Sequence, residues 1–169
     1  MSLILLLGGA RSGKSSLAVR MAGDRATFVA TATAGDEEME ERIERHRAER
    51  PAEWTTVEEP VELGSAVAAV PDEEPVVVDC LTIWLSNLAA ASWEEAAIER
   101  EAEVVAQQAA ARVGLTVVVS NEVGLGIVPA TPLGRRYRDL LGTVNRVFAA
   151  EADRALFVVA GRGLELERI

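Results

Sequence analysis

Residues 8–15 read Gly8-Gly9-Ala10-Arg11-Ser12-Gly13-Lys14-Ser15, between the apolar run Leu3-Ile4-Leu5-Leu6-Leu7 and the segment Ser16-Leu17-Ala18-Val19-Arg20-Met21. The spacing G-x-x-x-x-G-K-[ST] is met in full, with a strand pattern before it and a helix pattern after it. Gly8 and Gly13 let the backbone turn tightly and aim its N–H groups inward at an anion. Lys14 adds a compact positive charge, Ser15 offers a hydroxyl to Mg²⁺, and the following helix points its positive end at the same place. A chance glycine-rich turn is the alternative, and the strand-to-helix context argues against it. Lys14 is also the only lysine among 17 basic residues. A chain that otherwise uses arginine keeps lysine where a rotatable ammonium serves better than a planar fork.

Working outward, 169 residues are enough for one domain with a substantial core. With 49% hydrophobic and 26% charged residues, the composition is that of an ordinary globular chain rather than a disordered one. No apolar run reaches the length of a membrane span, and Ser2-Leu3-Ile4-Leu5-Leu6-Leu7-Gly8-Gly9 lacks the basic start and length of a signal peptide, so a cytoplasmic protein is expected. A net charge of -10 argues against nucleic-acid or acidic-membrane partners, so a phosphate site has to be locally basic. The single cysteine, Cys80, sits in the apolar run Val76-Val77-Val78-Asp79-Cys80-Leu81 and reads as a buried, inert thiol.

Short aliphatic runs at 3–7, 26–31, 76–79, 115–120 and 155–160 read as buried strands. Helical stretches alternate with them. One is expected from Ser92, where Ser92-Trp93-Glu94-Glu95 has the form of a capping box, to Arg112. Another starts with Thr131 as cap and Pro132 in the first position. The alternation predicts a single α/β domain over residues 1–169, a P-loop NTPase of RecA-like type. Its central sheet is mostly parallel, with helices on both faces and ligands at the carboxyl ends of the strands.

Residues 36–50, Asp-Glu-Glu-Met-Glu-Glu-Arg-Ile-Glu-Arg-His-Arg-Ala-Glu-Arg, are strongly helical in propensity and stop at Pro51. Met39, Ile43, His46 and Arg50 fall on one face, flanked by Arg42 and Arg47. His46 is the only histidine. On periodicity alone it reads as a half-buried helix residue without chemistry. Yet a face that turns from Met and Ile to His and Arg resembles a pocket wall, and nearby guanidinium groups keep an imidazole neutral and nucleophilic. Asp79 closes the third strand, where a P-loop protein holds Mg²⁺ or its water shell opposite Ser15; a strand-end aspartate capping the next turn is the alternative. The loop 120–134 brings glycines and the Asn121-Glu122 pair over the site, or is a long surface connection. Residues 54–59 read as a short extra strand, leaving Glu58 or Glu59 beside the pocket or simply in solvent.

In combination, Gly8–Ser15, the stretch 30–60 around His46, Val76-Val77-Val78-Asp79-Cys80-Leu81-Thr82-Ile83-Trp84-Leu85-Ser86-Asn87, the loop Ser120–Pro129 and the helix 134–153 resemble the bifunctional adenosylcobinamide kinase/adenosylcobinamide-phosphate guanylyltransferase family. The resemblance covers nearly the whole chain in order. It implies an enzyme that phosphorylates adenosylcobinamide with ATP or GTP and then joins that phosphate to GMP from GTP, yielding adenosylcobinamide-GDP and pyrophosphate. It further implies that His46 carries the guanylyl group. Some members have two adjacent histidines here; in this chain the first is Arg45. Residue by residue it implies nucleotide contacts at Gly8, Gly9, Ala10, Arg11, Ser12, Gly13, Lys14 and Ser15. Further contacts are implied at Thr31, Ala32, Thr33, Arg47, Ala48, Glu49, Arg50, Glu58 and Asp79. Mg²⁺ would lie at Ser15 and Asp79, although some members have Glu at Asp79. A homo-oligomer, often a trimer, is the associated assembly. The corrinoid pocket has candidates in Trp84, Trp93, Tyr137 and the loop 123–131.

A small-molecule P-loop kinase with no covalent intermediate explains everything except a purposeful His46. A regulatory GTP switch lacks its guanine-reading N-K-x-D pattern, because Lys14 is the sole lysine.

Overall fold

Strand β1 (Leu3–Gly8) is buried at every position. Leu3, Leu5 and Leu7 enter one core, Ile4 and Leu6 the other. A strand with apolar side chains on both faces belongs in the middle of a sheet covered twice. In the computed structural model, which describes residues 2–33, Glu44, Arg47 and 50–169, it lies there. The other strands are β2 (Thr27–Ala30), β3 (Thr55–Glu58), β4 (Val76–Asp79), β5 (Thr116–Val119), β6 (Arg154–Val159) and β7 (Arg162–Leu166). They form one seven-stranded sheet in the order β3-β2-β4-β5-β1-β6-β7, parallel throughout except for β7, which pairs antiparallel with β6. The helix expected over 36–50, with His46, lies outside the described residues apart from Glu44, Arg47 and Arg50.

Among the described residues the two faces are unequally covered. Helix α1 (Lys14–Ala22) packs Ala18 and Ala22 against Ile4, Leu6, Val77, Val117 and Val119. The opposite face takes α2 (Leu63–Ala68), α3 (Leu81–Ala90), α4 (Glu95–Ala111) and α5 (Pro132–Glu151), which bury Trp84, Leu88, Ile98, Val105, Val144 and Phe148. The period-2 alternation of the central strands produces this division: Val76 and Val78 face one layer and Val77 the other.

Three features depart from the sequence reading. Ser92 does not cap α4: it has φ 62 and closes the preceding α3, its N–H donating to Ala89 O at 3.1 Å, while Glu94 takes the cap position without a side-chain bond. Glu95 does not reach back because Arg136 claims its carboxylate at 2.6 and 2.8 Å. Helices α2 and α3 were not expected. The first is only six residues long, and α3 follows the apolar run of β4 so closely that the i, i+3, i+4, i+7 spacing of its buried Leu81, Trp84, Leu85 and Leu88 merges with the strand pattern. Strand β7 is exposed along its length and carries no buried stripe; it exists because Ala160 and Gly161, at φ 50 and 75, make a tight hairpin turn of primed type. The Thr131 cap is present, its hydroxyl accepting from Gly134 N at 3.1 Å.

Candidate active site

The carboxyl ends of β1, β4 and β2 converge where the Gly8–Ser15 loop crosses the sheet. Gly8 has no alternative: a Cβ there would lie 2.2 Å from Val158 O on β6. Gly13, at φ 99, is the N-cap of α1 and leaves the first turn without a side-chain cap, so its N–H groups face the concavity of the loop. The loop is braced from two sides. Gly161 N, in the β6–β7 turn, donates to Ser12 O at 2.8 Å, and Glu122 N, after β5, donates to Gly8 O at 3.2 Å. Lys14 is only 6% exposed. Its ammonium lies across the loop, donating to Gly8 O at 3.0 Å and Gly9 O at 2.7 Å. Gly9, Ala10 and Arg11 are exposed, whereas Ser12 is buried against the same ammonium at 3.4 Å.

Ser15 Oγ donates to Asp79 Oδ2 at 3.1 Å, across 64 residues of sequence. These two oxygens at the mouth of the loop suit a hard cation. Among the described residues no group of three or more His, Cys, Asp or Glu side chains could hold a metal on its own. A hydroxyl and a carboxylate side by side are the kind of donors that could take Mg²⁺, which keeps several waters and shares its shell with phosphate oxygens. Asp79 is held in place by its neighbour. Thr31 Oγ1 accepts from Cys80 N at 2.8 Å and donates to Cys80 O at 2.9 Å, and Thr31 N donates to Asp79 O at 3.1 Å. Thr31 is fully buried, and Asn87 Nδ2 takes its carbonyl at 2.8 Å while also donating to Pro60 O at 3.0 Å. All polar groups of Thr31 are thus engaged inside the fold, and its place in the site is to hold Asp79-Cys80. Ala32 is half-buried and Thr33 exposed beyond it.

Arg50 stacks on Phe28, 3.9 Å from the ring centroid, and donates to Thr56 Oγ1 at 2.9 Å. Burial and the charge of Arg47 lower its pKa, while Asp79 and Glu58 act in the opposite sense. The basic residues of the segment 47–50 are therefore gathered near the carboxylates at the strand ends. Arg47 pairs with Glu58 at 3.3 Å in an exposed contact. Glu59 turns away and caps the chain before α2, accepting from Val61 N and Glu62 N at 2.9 and 2.8 Å. His46, Ala48 and Glu49 lie outside the described residues. Cys80 is inert as expected: burial first and the charge of Asp79 second push its thiol up to about 11.

Sequence reasoning missed the polar network under the loop 120–134. Ser120 Oγ donates to Asn145 Oδ1 at 2.6 Å, Asn145 Nδ2 donates to Asn121 O at 3.0 Å, and Asn121 N donates to Thr82 Oγ1 at 3.0 Å. The available signal was Asn145 itself, a polar residue on the helix face that carries Leu141, Val144 and Phe148. Of the aromatic candidates, Trp84 is fully buried with its indole N–H on Val61 O at 2.8 Å, which makes it core. Trp93 packs half-buried on the same core, and Tyr137 donates to Thr82 O at 2.7 Å.

Comparison with known proteins adds independent findings. The family model described as cobinamide kinase / cobinamide phosphate guanyltransferase matches residues 4–166. The bifunctional adenosylcobalamin biosynthesis protein CobP of Pseudomonas aeruginosa is 42% identical over 167 residues, covering 96% of both chains. The bifunctional adenosylcobalamin biosynthesis protein CobU of Salmonella typhimurium is 37% identical over 183 aligned positions, covering 98% of this chain and 99% of that one. Among solved structures, the RadB recombinase superposes with a TM-score of 0.52 at 17% identity, over 92% of this chain and 73% of that chain. At that identity the likeness concerns the fold alone, and it agrees with the RecA-like sheet.

Proposed function

The chain belongs to the cobinamide kinase / cobinamide phosphate guanyltransferase family, and on that premise we propose how its residues divide the two reactions. It is an enzyme of cobalamin biosynthesis with kinase and guanylyltransferase activities. In the kinase step the acceptor hydroxyl attacks the γ-phosphorus of the nucleoside triphosphate, and the diphosphate leaves. The loop N–H groups and Lys14 hold the β- and γ-phosphates, phosphate oxygens taking over the ammonium contacts now made to Gly8 O and Gly9 O. In the second step a neutral ring nitrogen of His46 attacks the α-phosphorus of GTP. A P–N bond forms, the α–β bridging P–O bond breaks, and pyrophosphate leaves into the same cradle. The phosphate oxygen of the phosphorylated acceptor then displaces GMP from the nitrogen, restoring neutral imidazole. Ser15 and Asp79 would hold Mg²⁺, which supplies charge neutralisation on the phosphates when bound.

The observation that supports a shared triphosphate grip for both steps is the Ser15–Asp79 contact at 3.1 Å beside a buried Lys14; the role of His46 rests on the family. The remaining positions, from Gly8 to Ser12, at 32–33 and 47–50, and at Glu58, would surround the nucleotide, while the buried Thr31 acts behind them by holding Asp79-Cys80. The chain would work in the cytoplasm as one domain over 1–169 in a homo-oligomer, possessing no described helix long and apolar enough to cross a membrane. The test is GTP labelled at the α-phosphorus. The unsubstituted protein should acquire an acid-labile GMP adduct, and His46→Ala should lose both the adduct and adenosylcobinamide-GDP formation while still phosphorylating the acceptor. An adduct that survives in His46→Ala refutes the carrier assignment. A protein that turns over the kinase step but never forms an adduct is a simple kinase.

A further inference from the structure

The loop after β5 and the outer face of α5 enclose a groove of about 380 Å³, lined by Glu122, Gly124, Arg138, Gly142, Thr143 and Arg146 among others. We propose that this groove binds the carboxamide-bearing rim of the corrinoid acceptor; the proposal rests on the family reading above and, of the candidates for the second substrate, takes the loop 123–131 and adds the face of α5 that it borders.

The first observation is Gly142. It sits near the middle of the twenty-residue helix α5, where glycine costs helix stability relative to alanine. Its backbone needs no positive φ, and a Cβ built on it would meet no atom within 4 Å. Among the described residues nothing accounts for the missing side chain. An exposed glycine in the lining of a groove is accounted for when a bulky ligand must approach the backbone closely.

The second observation is the chemistry of the walls. Arg138 and Arg146 stand two turns apart on one helix, and Glu122 and Asp139 add carboxylates. Arg138 holds Asp139 at 2.7 Å, leaving its guanidinium in place with donors to spare. A carboxamide presents N–H donors and a carbonyl acceptor on the same group, so a ring of them needs guanidinium and carboxylate partners side by side. Nucleotide phosphates alone would need only the cations. Leu125, Ile127 and Val128, on the same loop and 77%, 97% and 63% exposed, offer apolar surface to the macrocycle beside the polar groove.

The third observation is connection to the chemistry. Glu122, on the groove wall, donates its N–H to Gly8 O at 3.2 Å, so the groove and the phosphate loop share a backbone contact at the carboxyl edge of the sheet. An acceptor seated there lies beside the phosphates and leaves the loop to the nucleotide.

The test uses the full chain with Gly142→Gln and Arg146→Ala. Acceptor affinity is read from the corrin absorbance in equilibrium dialysis and from KM in the kinase step; GTP affinity, melting temperature and mass by light scattering are measured beside them. Gly142→Gln should melt at or above the unsubstituted protein and keep its mass, because glutamine is the better helix former. Both variants should bind the acceptor roughly tenfold more weakly, with GTP affinity unchanged. Unchanged acceptor affinity in both variants overturns the proposal. So does dissociation of Gly142→Gln into smaller species with acceptor affinity intact, which would make the groove a contact between copies of the chain. Failure of the unsubstituted protein to bind cobinamide at all refutes the family reading and this inference with it, and is told apart because it needs no variant.

Discussion

Replacing Thr31 by valine keeps the shape of the side chain and removes one oxygen. In the structure that oxygen serves both backbone groups of Cys80, accepting from its N–H at 2.8 Å and donating to its carbonyl at 2.9 Å. The two losses are unequal. Cys80 O also accepts Trp84 N in the first turn of α3 at 3.0 Å and stays satisfied, whereas the N–H is left with a methyl group. Thr31 is fully buried and Cys80 4% exposed, so water does not replace the bond. One orphaned buried donor costs about 1–3 kcal/mol, and about 2 is the central expectation. With a urea m-value of about 2 kcal/mol/M, the unfolding midpoint should fall by about 1 M at unchanged slope. Thr31→Ser keeps the oxygen and should recover most of that. Because Cys80 anchors Asp79, Thr31→Val should also raise the Mg²⁺ concentration needed for half-maximal kinase rate, which Thr31→Ser should not. If Thr31→Val unfolds at the wild-type midpoint, the clamp on Cys80 contributes nothing and the reasoning fails.

Lys14→Ala should lower the rates of both reactions by about 10²–10³, since each develops charge on phosphates in one cradle; initial rates of phosphorylation and of GMP adduct formation check it, and a near-normal rate in either contradicts the shared loop. Asp79→Asn should weaken both activities and be partly relieved by raised Mg²⁺, so a metal titration that leaves the deficit unchanged removes Asp79 from the cation site. Cys80 should resist alkylation at pH 8. With its thiol pushed up from 9.0 to about 11, the thiolate fraction, and with it the rate, falls about 100-fold below that of the unfolded chain. The sign is fixed by burial, which disfavours the anion, and rapid labelling of native protein would show the thiol to be accessible.

What the sequence determined by itself was whatever depends on neighbours in the chain. The spacing from Gly8 to Ser15 specifies an anion-binding loop because backbone N–H groups, Lys14 and a helix start lie within eight consecutive residues. The buried runs declared the parallel strands, since a strand covered on both faces must be apolar throughout, and Thr131-Pro132 declared the start of α5. Tertiary structure decided the rest, because the partners are far apart in sequence. Ser92-Trp93-Glu94-Glu95 has the form of a capping box, yet Arg136, 41 residues away, holds Glu95. Asn87 reads as an ordinary polar helix residue until Thr31 and Pro60 arrive at its amide. Arg112 looks like a surface charge at the end of α4, but packing buries it against the carbonyls of Val67, Val70, Pro71 and Glu74. Gly142 is unremarked in sequence, and only the approach of the β5 loop to α5 places it, still exposed, in the lining of a groove. Local rules choose the elements and the phosphate grip; which polar group meets which is settled by the sheet order, which brings β1 between β5 and β6 and so sets Glu122 and Gly161 on either side of one loop.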